Sequence, residues 1–464
     1  MPSLDIRSYQ RGAAILPIVS PSLTSFVELV VPPRLGRSFR WLLSSVVVTN
    51  VGDGIALAAG PLLVASQTTD PLLVSTALLA QVLPALLFGL VAGAIADRFD
   101  RRRIVVGVNL VRAAVLAVLA ATIASGSVNI AVVLVALFVL GTAETFADVG
   151  SNSLLPRVVG RADVGVANAR LQGAYVLTNQ LIAPPIGAFL FVIGMALPFA
   201  ANAACFALGA LLISRVTYSS VAQAHSDQVP TDGVEHRPAV ETAPVETAPV
   251  ETAPRTEGWH LRADLAEGLR WLIGHPPMRT LAITILAFNV TFGAAWSVLV
   301  LYAREQLGMD AIGFGLLTTA IAIGGIIGAA SYGALERRFS LGNIMRVGLL
   351  IETGTHLTLA LTHAPIVALA TFVIFGAHEF VWGTTSTTVR QRAVPDALLG
   401  RVTGAYTVGI FGGIAVGTPI GGLLARSYGI TAPFWFGFVG SALLVMILWR
   451  EFVHIGEAGS VRAP

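Results

Sequence analysis

Long apolar blocks alternate with short polar turns over most of the chain. Blocks such as 72–96, 104–124 and 430–449 are each long enough to cross roughly 30 Å of hydrocarbon as a helix. The pattern predicts spans near 41–65, 72–96, 104–124, 129–151, 167–192 and 196–215. A second set is predicted near 278–302, 312–335, 342–362, 365–388, 402–425 and 430–451. Hydrocarbon gives backbone N–H and C=O groups no external partner, so the spans must be helical. The expected fold is all-α: a polytopic membrane protein with twelve transmembrane helices.

Residues 217–258 break the pattern. They are polar and contain three tandem copies of Val-Glu-Thr-Ala-Pro, from Val240 to Pro254. Repeated Pro and Glu without apolar periodicity cannot bury a core, so the segment reads as a disordered linker. The stretch Trp259–Trp271 follows with Leu261, Leu265, Leu269 and Leu272, an amphipathic pattern suited to a membrane surface. The predicted organisation is an N-terminal tail (1–40), a six-helix bundle (41–216), the linker (217–258), a second bundle (259–452) and a C-terminal tail (453–464).

Composition agrees with this picture. Only 12% of the 464 residues are charged, about half the usual fraction of a soluble chain. Every basic residue is Arg, which reads as the codon bias of a high-GC bacterium. The arginines fall almost entirely on one side of the predicted topology: Arg98 to Arg103, Arg157 and Arg161, Arg215 to Arg279, Arg337, Arg338 and Arg346, and Arg390, Arg392 and Arg401. Arg304 and Arg426 lie on the other. By the positive-inside rule both termini are expected in the cytoplasm of a multi-pass bacterial inner-membrane protein. The N-terminal 40 residues lack a long apolar region with a cleavage site and read as a cytoplasmic tail. A net charge of +3 gives no reason to expect a nucleic-acid partner. The single Cys205 excludes an intramolecular disulfide or a cysteine-based metal site, and no metal is expected.

The two sets of spans repeat each other. Gly93-Ala-Ile-Ala-Asp97-Arg98-Phe99 is matched by Gly333-Ala-Leu-Glu336-Arg337-Arg338-Phe339. Arg170-Leu-Gln-Gly173-Ala174-Tyr175 is matched by Arg401-Val-Thr-Gly404-Ala405-Tyr406, and Pro185-Ile-Gly187 by Pro419-Ile-Gly421. The separations are 240, 231 and 234 residues, in one order, which implies two pseudo-symmetric six-helix bundles. Parallel repeats of this kind place a solute path between the halves.

Gly93-x-x-x-Asp97-Arg98-x-Asp100-Arg101-Arg102 resembles the loop signature of the major facilitator superfamily, departing at Asp100 where the family pattern has Gly. The resemblance implies that Gly93, Asp97, Arg98, Arg101 and Arg102 latch the halves on the cytoplasmic side when the protein opens outward. Asn50-Val-Gly52-Asp53, Gly141-Thr-Ala-Glu144-Thr-Phe-Ala-Asp148, Ala167-Asn168-Ala-Arg170 and Leu197-Pro198-Phe199-Ala-Ala-Asn202 are similar to the drug/proton antiporter branch that includes macrolide efflux proteins and the enterobactin exporter. Ala183-Pro184-Pro185-Ile-Gly187 partly resembles the antiporter signature of the fifth span. The likeness covers most of 41–452. It implies a secondary active transporter that exports drugs, siderophores or other secondary metabolites as a monomer. It would need no cofactor beyond the proton gradient. A lysolipid or lipid flippase of the same fold is one alternative, and a non-transporting membrane partner another. The chain has no Walker loop, nucleophile elbow or zinc-type His pair, so no enzymatic activity is expected.

Ionisable side chains inside spans are expensive and mark function. They are Asp53, Arg112, Glu144, Asp148, Glu352, His356, His378 and Glu379. Glu144 and Asp148 lie one turn apart, where two carboxylates in low dielectric resist double ionisation and one holds a proton. Asp53, Glu144 and Asp148 are the expected coupling and substrate-facing set, with Arg112 as counter-charge and Glu379 as the repeat-mate of Glu144. Glu352 and His356 form either a functional or a peripheral structural pair, and His378 reads as a satisfied core histidine. Asn50, Asn289, Phe292 and Trp382 are the expected pocket residues.

Overall fold

The computed structural model describes residues 33–160, 163–217 and 261–458. All regular structure among them is helical. The first half consists of α1 (Gly36–Gln67), α2 (Pro71–Arg98), α3 (Arg101–Ala124), α4 (Ile130–Val158), α5 (Val164–Ile193) and α6 (Leu197–Ser214). The surface helix α7 (Leu261–Gly274) leads into the second half: α8 (Pro276–Trp296), α9 (Leu299–Glu305), α10 (Ala311–Arg338), α11 (Leu341–Leu361), α12 (Pro365–Ala393), α13 (Asp396–Tyr428), α14 (Ala432–Leu448) and α15 (Glu451–Ala458).

Eleven of these helices are long and apolar enough to cross a membrane, and the bent pair α14–α15 brings the count to twelve. The alternation of apolar blocks therefore gave the right number of spans, with three departures. The fifth span contains a π-helical segment at Val176–Ile182, just ahead of Pro184 and Pro185, whose missing N–H groups disturb the regular ladder. The seventh span stops at Trp296, and the chain turns into the short α9. The last span bends by 70° into α15, so part of the expected C-terminal tail (453–464) is helix, with Ile455 fully buried. The 217–258 linker lies outside the described residues apart from Thr217.

Asp100 explains its own departure from the family pattern. It sits at φ −60°, ψ 114°, where an L-residue is relaxed, and its Oδ1 accepts the Arg103 N–H at 3.1 Å as the N-cap of α3.

The duplication is visible as repeated backbone contact. A Cβ on Gly141 in α4 would strike the Gln81 carbonyl of α2, and a Cβ on Gly376 in α12 would strike the Ile321 carbonyl of α10. Likewise Gly187 of α5 lies on the Ile55 backbone of α1, and Gly421 of α13 on the Ala294 backbone of α8. Small residues let helices meet at backbone distance, which is how helices associate where water supplies no drive.

The buried apolar side chains fall into three clusters. One joins the halves: Leu63, Val133, Leu137 and Phe199 pack with Leu299, Phe314, Phe372 and Phe434. The other two each belong to one half, around Phe39, Val105, Leu154 and Ile213 and around Leu281, Met345, Tyr406 and Phe452. The joint cluster lies at the arginine-poor end, where Gly422 of α13 touches Ser75 of α2 and Gly315 of α10 touches Ala188 of α5. Arg426 also approaches Asp70 there, at 3.7 Å. The halves are thus packed together at one end and carry separate cores at the arginine-rich end.

Replacing Gly376 by Leu should force α12 off α10 and destabilise the protein by about 1–3 kcal/mol or more. Gly383 has nothing within 4 Å of its Cβ position, so Gly383→Ala should be neutral. Thermal unfolding of both variants in detergent checks this.

Candidate functional site: a charged cleft between the halves

The cleft begins where the joint core ends. On α4, Val133 and Leu137 are buried in that core, and Glu144, seven residues beyond Leu137 on the same helix face, is exposed. On α12, Ala368 and Phe372 are buried in the same core, and Glu379, seven residues beyond Phe372, is exposed. These are equivalent positions in the duplication. Each half therefore presents one carboxylate at the level where the two halves part. Asp148, one turn beyond Glu144, has a side chain outside those described.

Arg112, expected as a counter-charge, meets one of the expected carboxylates. Arg112 on α3 donates to Asp53 Oδ1 on α1 at 2.7 Å. The Arg112 side chain is 8% exposed and lies 4.0 Å over the Phe206 ring of α6; the Asp53 side chain is 28% exposed. The guanidinium is thus held between a carboxylate and an aromatic face, which suits a delocalised cation in a poorly solvated place. Gly52 makes room for this arrangement, since a Cβ there would collide with Asn202 of α6. This gives the Asn50-Val-Gly52-Asp53 motif a physical meaning: Gly52 sets the α1–α6 distance and Asp53 anchors Arg112.

The expected pocket residues divide. Phe292 stacks on Trp296 at 4.7 Å, and Phe288 stacks on Trp382 at 5.9 Å. With Phe375, 6.3 Å from Phe292, they make a nearly continuous aromatic wall along α8 and α12. Phe288, Phe292 and Trp296 are half-buried, and Trp382 is almost fully buried. Asn50 and Asn289 instead donate to carbonyls one turn back, Val46 and Ile285, both at 2.8 Å. Asn289 is also pressed against Gly413 of α13, so it packs helices as well as marking the wall.

In the arginine loop, the side chains of Gly93, Asp97 and Arg98 lie outside those described. Arg102 donates to the Val216 carbonyl at 2.8 Å, closing the end of α6 within its own half. On the opposite half, Arg392 pairs with Glu336 at 2.9 Å, and Arg401 pairs with Glu267 of α7 at 2.7 Å. Helix α7 therefore packs on the start of α13 through both this pair and the Gly268–Arg401 contact.

One feature was misread from sequence. His378 is not an isolated, satisfied core residue: its Nε2 faces Glu352 of α11 at 3.6 Å without a hydrogen bond. Glu352 also meets His356 at 3.0 Å. The one-turn spacing of Glu352 and His356 was legible; the approach of α12 was not.

The major facilitator superfamily profile matches residues 42–418. The chain belongs to that superfamily. Multidrug efflux pump Tap of Mycolicibacterium fortuitum is 27% identical over 406 residues, 85% of this chain and 90% of that protein. Enterobactin exporter EntS of Shigella boydii serotype 18 is 26% identical, covering 77% of this chain and 79% of its own. Among solved structures, a mutant of the nucleoside transporter NupG superposes with a TM-score of 0.68 at 11% identity, over 90% of this chain and all of that one. A bacterial homologue of the iron transporter ferroportin, in an inward-facing state, gives 0.67 at 16% identity, over 90% of this chain and 98% of that one. This major facilitator protein is thus a polytopic membrane transporter rather than an enzyme.

Asp53→Ala should leave a buried, unpaired Arg112. The expected loss is on the order of 2 kcal/mol, less than for a fully buried pair because Asp53 is partly exposed. The double change Asp53→Ala with Arg112→Leu should recover much of it. Melting curves of the two variants against wild type measure the difference.

Proposed function

We propose that this superfamily member is a proton-coupled exporter of small amphiphilic molecules, of the drug, siderophore or secondary-metabolite kind, working by alternating access. The observation that carries the reading is the pair Glu144 and Glu379. They sit at equivalent points of the duplicated fold, each exposed just beyond the joint core. Among the described residues neither has an ion pair or hydrogen bond, so each depends on water or a ligand in the cleft to be charged. A carboxylate in that position takes a proton when water recedes and releases it when the cleft opens. An amphiphile bearing a cation would neutralise the same carboxylates while its apolar body lies on the Phe288–Phe292–Trp296 wall. Proton and substrate then compete for one charge, which is the thermodynamic basis of exchange.

The named activities of Tap and EntS support export, and the arginine bias supports a cytoplasmic location for both termini. On that orientation the halves are parted toward the cytoplasm, where an exporter collects its load. In the reverse state the arginine loop, with Asp97, Arg98, Arg101 and Arg102, closes the cytoplasmic mouth. Asp53 and Arg112 stay paired and keep α1, α3 and α6 moving as one body.

In proteoliposomes carrying a pH gradient, with ethidium as the probe, Glu144→Gln should reduce gradient-driven transport by about tenfold or more, and Asp53→Asn likewise, while both remain folded. Undiminished transport by both ends the assignment. In a Cys205→Ala background, a cysteine placed in 217–258 should react with an impermeant maleimide from the cytoplasmic face only. Labelling of intact cells from outside would reverse the orientation.

A further inference from the structure

Glu352 occupies the place in α11 that Arg112 occupies in α3. The two helices begin after caps 240 residues apart, Asp100 and Ser340, and positions 112 and 352 are separated by the same interval. In the first half the buried charge is permanent. In the second its partners are titratable. Glu352 Oε1 lies 3.0 Å from His356 Nε2, and Oε2 lies 3.6 Å from His378 Nε2. Residue exposures are 1% for Glu352, 4% for His356 and 5% for His378.

Glycines shape the chamber. A Cβ on Gly437 of α14 would come within 2.5 Å of the His356 ring, and one on Gly348 of α11 within 2.9 Å of His378 Cε1. Phe288 and Phe375 stand edge-on to the His378 ring, at 6.4 and 6.3 Å. Glu352 Oε2 and His378 Nε2 face each other just beyond hydrogen-bond distance, and among the described residues neither of them nor His356 Nδ1 has another hydrogen-bond partner. A pair built only for rigidity satisfies its buried atoms. Here one carboxylate faces two imidazoles. One imidazolium neutralises it, and the second ring is left to gain or lose a proton.

The surrounding elements contribute little other charge. Helix α12 adds Glu379, the exposed residue after His378, and Arg390 and Arg392 in its last turn. Helix α14 has no titratable side chain, and α8 has only Arg279 in its first turn. Helix α10 carries Tyr332, Glu336, Arg337 and Arg338 near its end, and α15 carries Glu451, His454 and Glu457 at the arginine-rich end. No group of His, Cys, Asp and Glu among the described residues is arranged to hold a metal ion, so the proton is the ligand that fits.

We propose that His356, Glu352 and His378 form a second proton-carrying site, within the C-terminal half, that exchanges with the cleft through Glu379. This rests on the proton-coupled reading above. On release, an N–H bond of the His378 imidazolium breaks, a water takes the proton and hands it to a Glu379 carboxylate oxygen, and His378 is left neutral while Glu352 keeps the His356 imidazolium paired. Glu379 then yields the proton to water. Loading runs the same steps in reverse from the other compartment.

The test uses the full chain in liposomes, with ethidium as probe, and the variants Glu352→Gln, His356→Gln and His378→Gln. Exchange of ethidium at equal pH needs no net proton movement; accumulation against a gradient does. The two His variants should exchange within about twofold of wild type, accumulate about fivefold less, and lose the pH dependence of accumulation. The melting temperature identifies folded variants, and if Glu352→Gln does not fold, the His variants decide. Wild-type-like accumulation and pH profile in folded His variants overturns the site alone. Equal loss of exchange and accumulation makes the cluster structural and also overturns it. A wild-type chain that exchanges but never accumulates under a gradient defeats the coupling reading, and the site with it.

Discussion

A charge in an apolar interior must be paired or wet, and the architecture of this transporter follows from how each intramembrane charge meets that condition. Arg112 is paired, by Asp53 at 2.7 Å, and further shielded by the Phe206 face. Glu352 is paired, by one or other of two histidines. Glu144 and Glu379 are exposed, and a charge left without a side-chain partner has to be met by water. The helices cannot therefore close into one continuous bundle along their whole length, and the split of the apolar core into one shared and two private clusters is the packing counterpart of that requirement.

Duplication supplies the geometry on which this depends. Glycines at equivalent places bring α4 onto α2 and α12 onto α10, the pairings of the two helices that carry Glu144 and Glu379. Yet the halves differ in the chemistry behind those walls. A guanidinium with a fixed charge stands behind the first; a carboxylate between two imidazoles stands behind the second. The aromatic wall is also one-sided, since Phe288, Phe292, Trp296, Phe375 and Trp382 all come from the second half. A symmetric scaffold thus carries an asymmetric lining: each half presents a carboxylate, and only the second adds an apolar, stacking surface.

The contact between the halves is suited to change. At the arginine-poor end it consists, among the described residues, of small, aliphatic and aromatic side chains, together with one long, exposed Arg426–Asp70 pair that contributes little. Among the described residues no buried polar network spans that contact to resist a rocking motion. Within each half, by contrast, backbone-to-backbone glycine contacts and buried polar anchors make a stiff unit. Tyr302 donates to the Leu359 carbonyl at 2.6 Å, and Tyr406 to the Met278 carbonyl, also at 2.6 Å.

Sequence alone determined the number of spans, the helical class, the duplication and the charges inside the membrane, because hydrophobic length and repeat offset are properties of the chain read in order. It also paired Glu144 with Glu379, through the alignment of Gly141 with Gly376. Span edges were less legible: the π-helical stretch at Val176–Ile182, the stop at Trp296 and the bend into α15 fall inside stretches that stay apolar, so hydropathy does not mark them. Which charges are paired was decided only by tertiary structure. Asp53 and Arg112 are 59 residues apart, and His378 is 26 residues from Glu352. Their meeting depends on helix rotation and on glycines such as Gly52, Gly348 and Gly437 that set interhelical distance, and neither is written in the hydropathy of any single span.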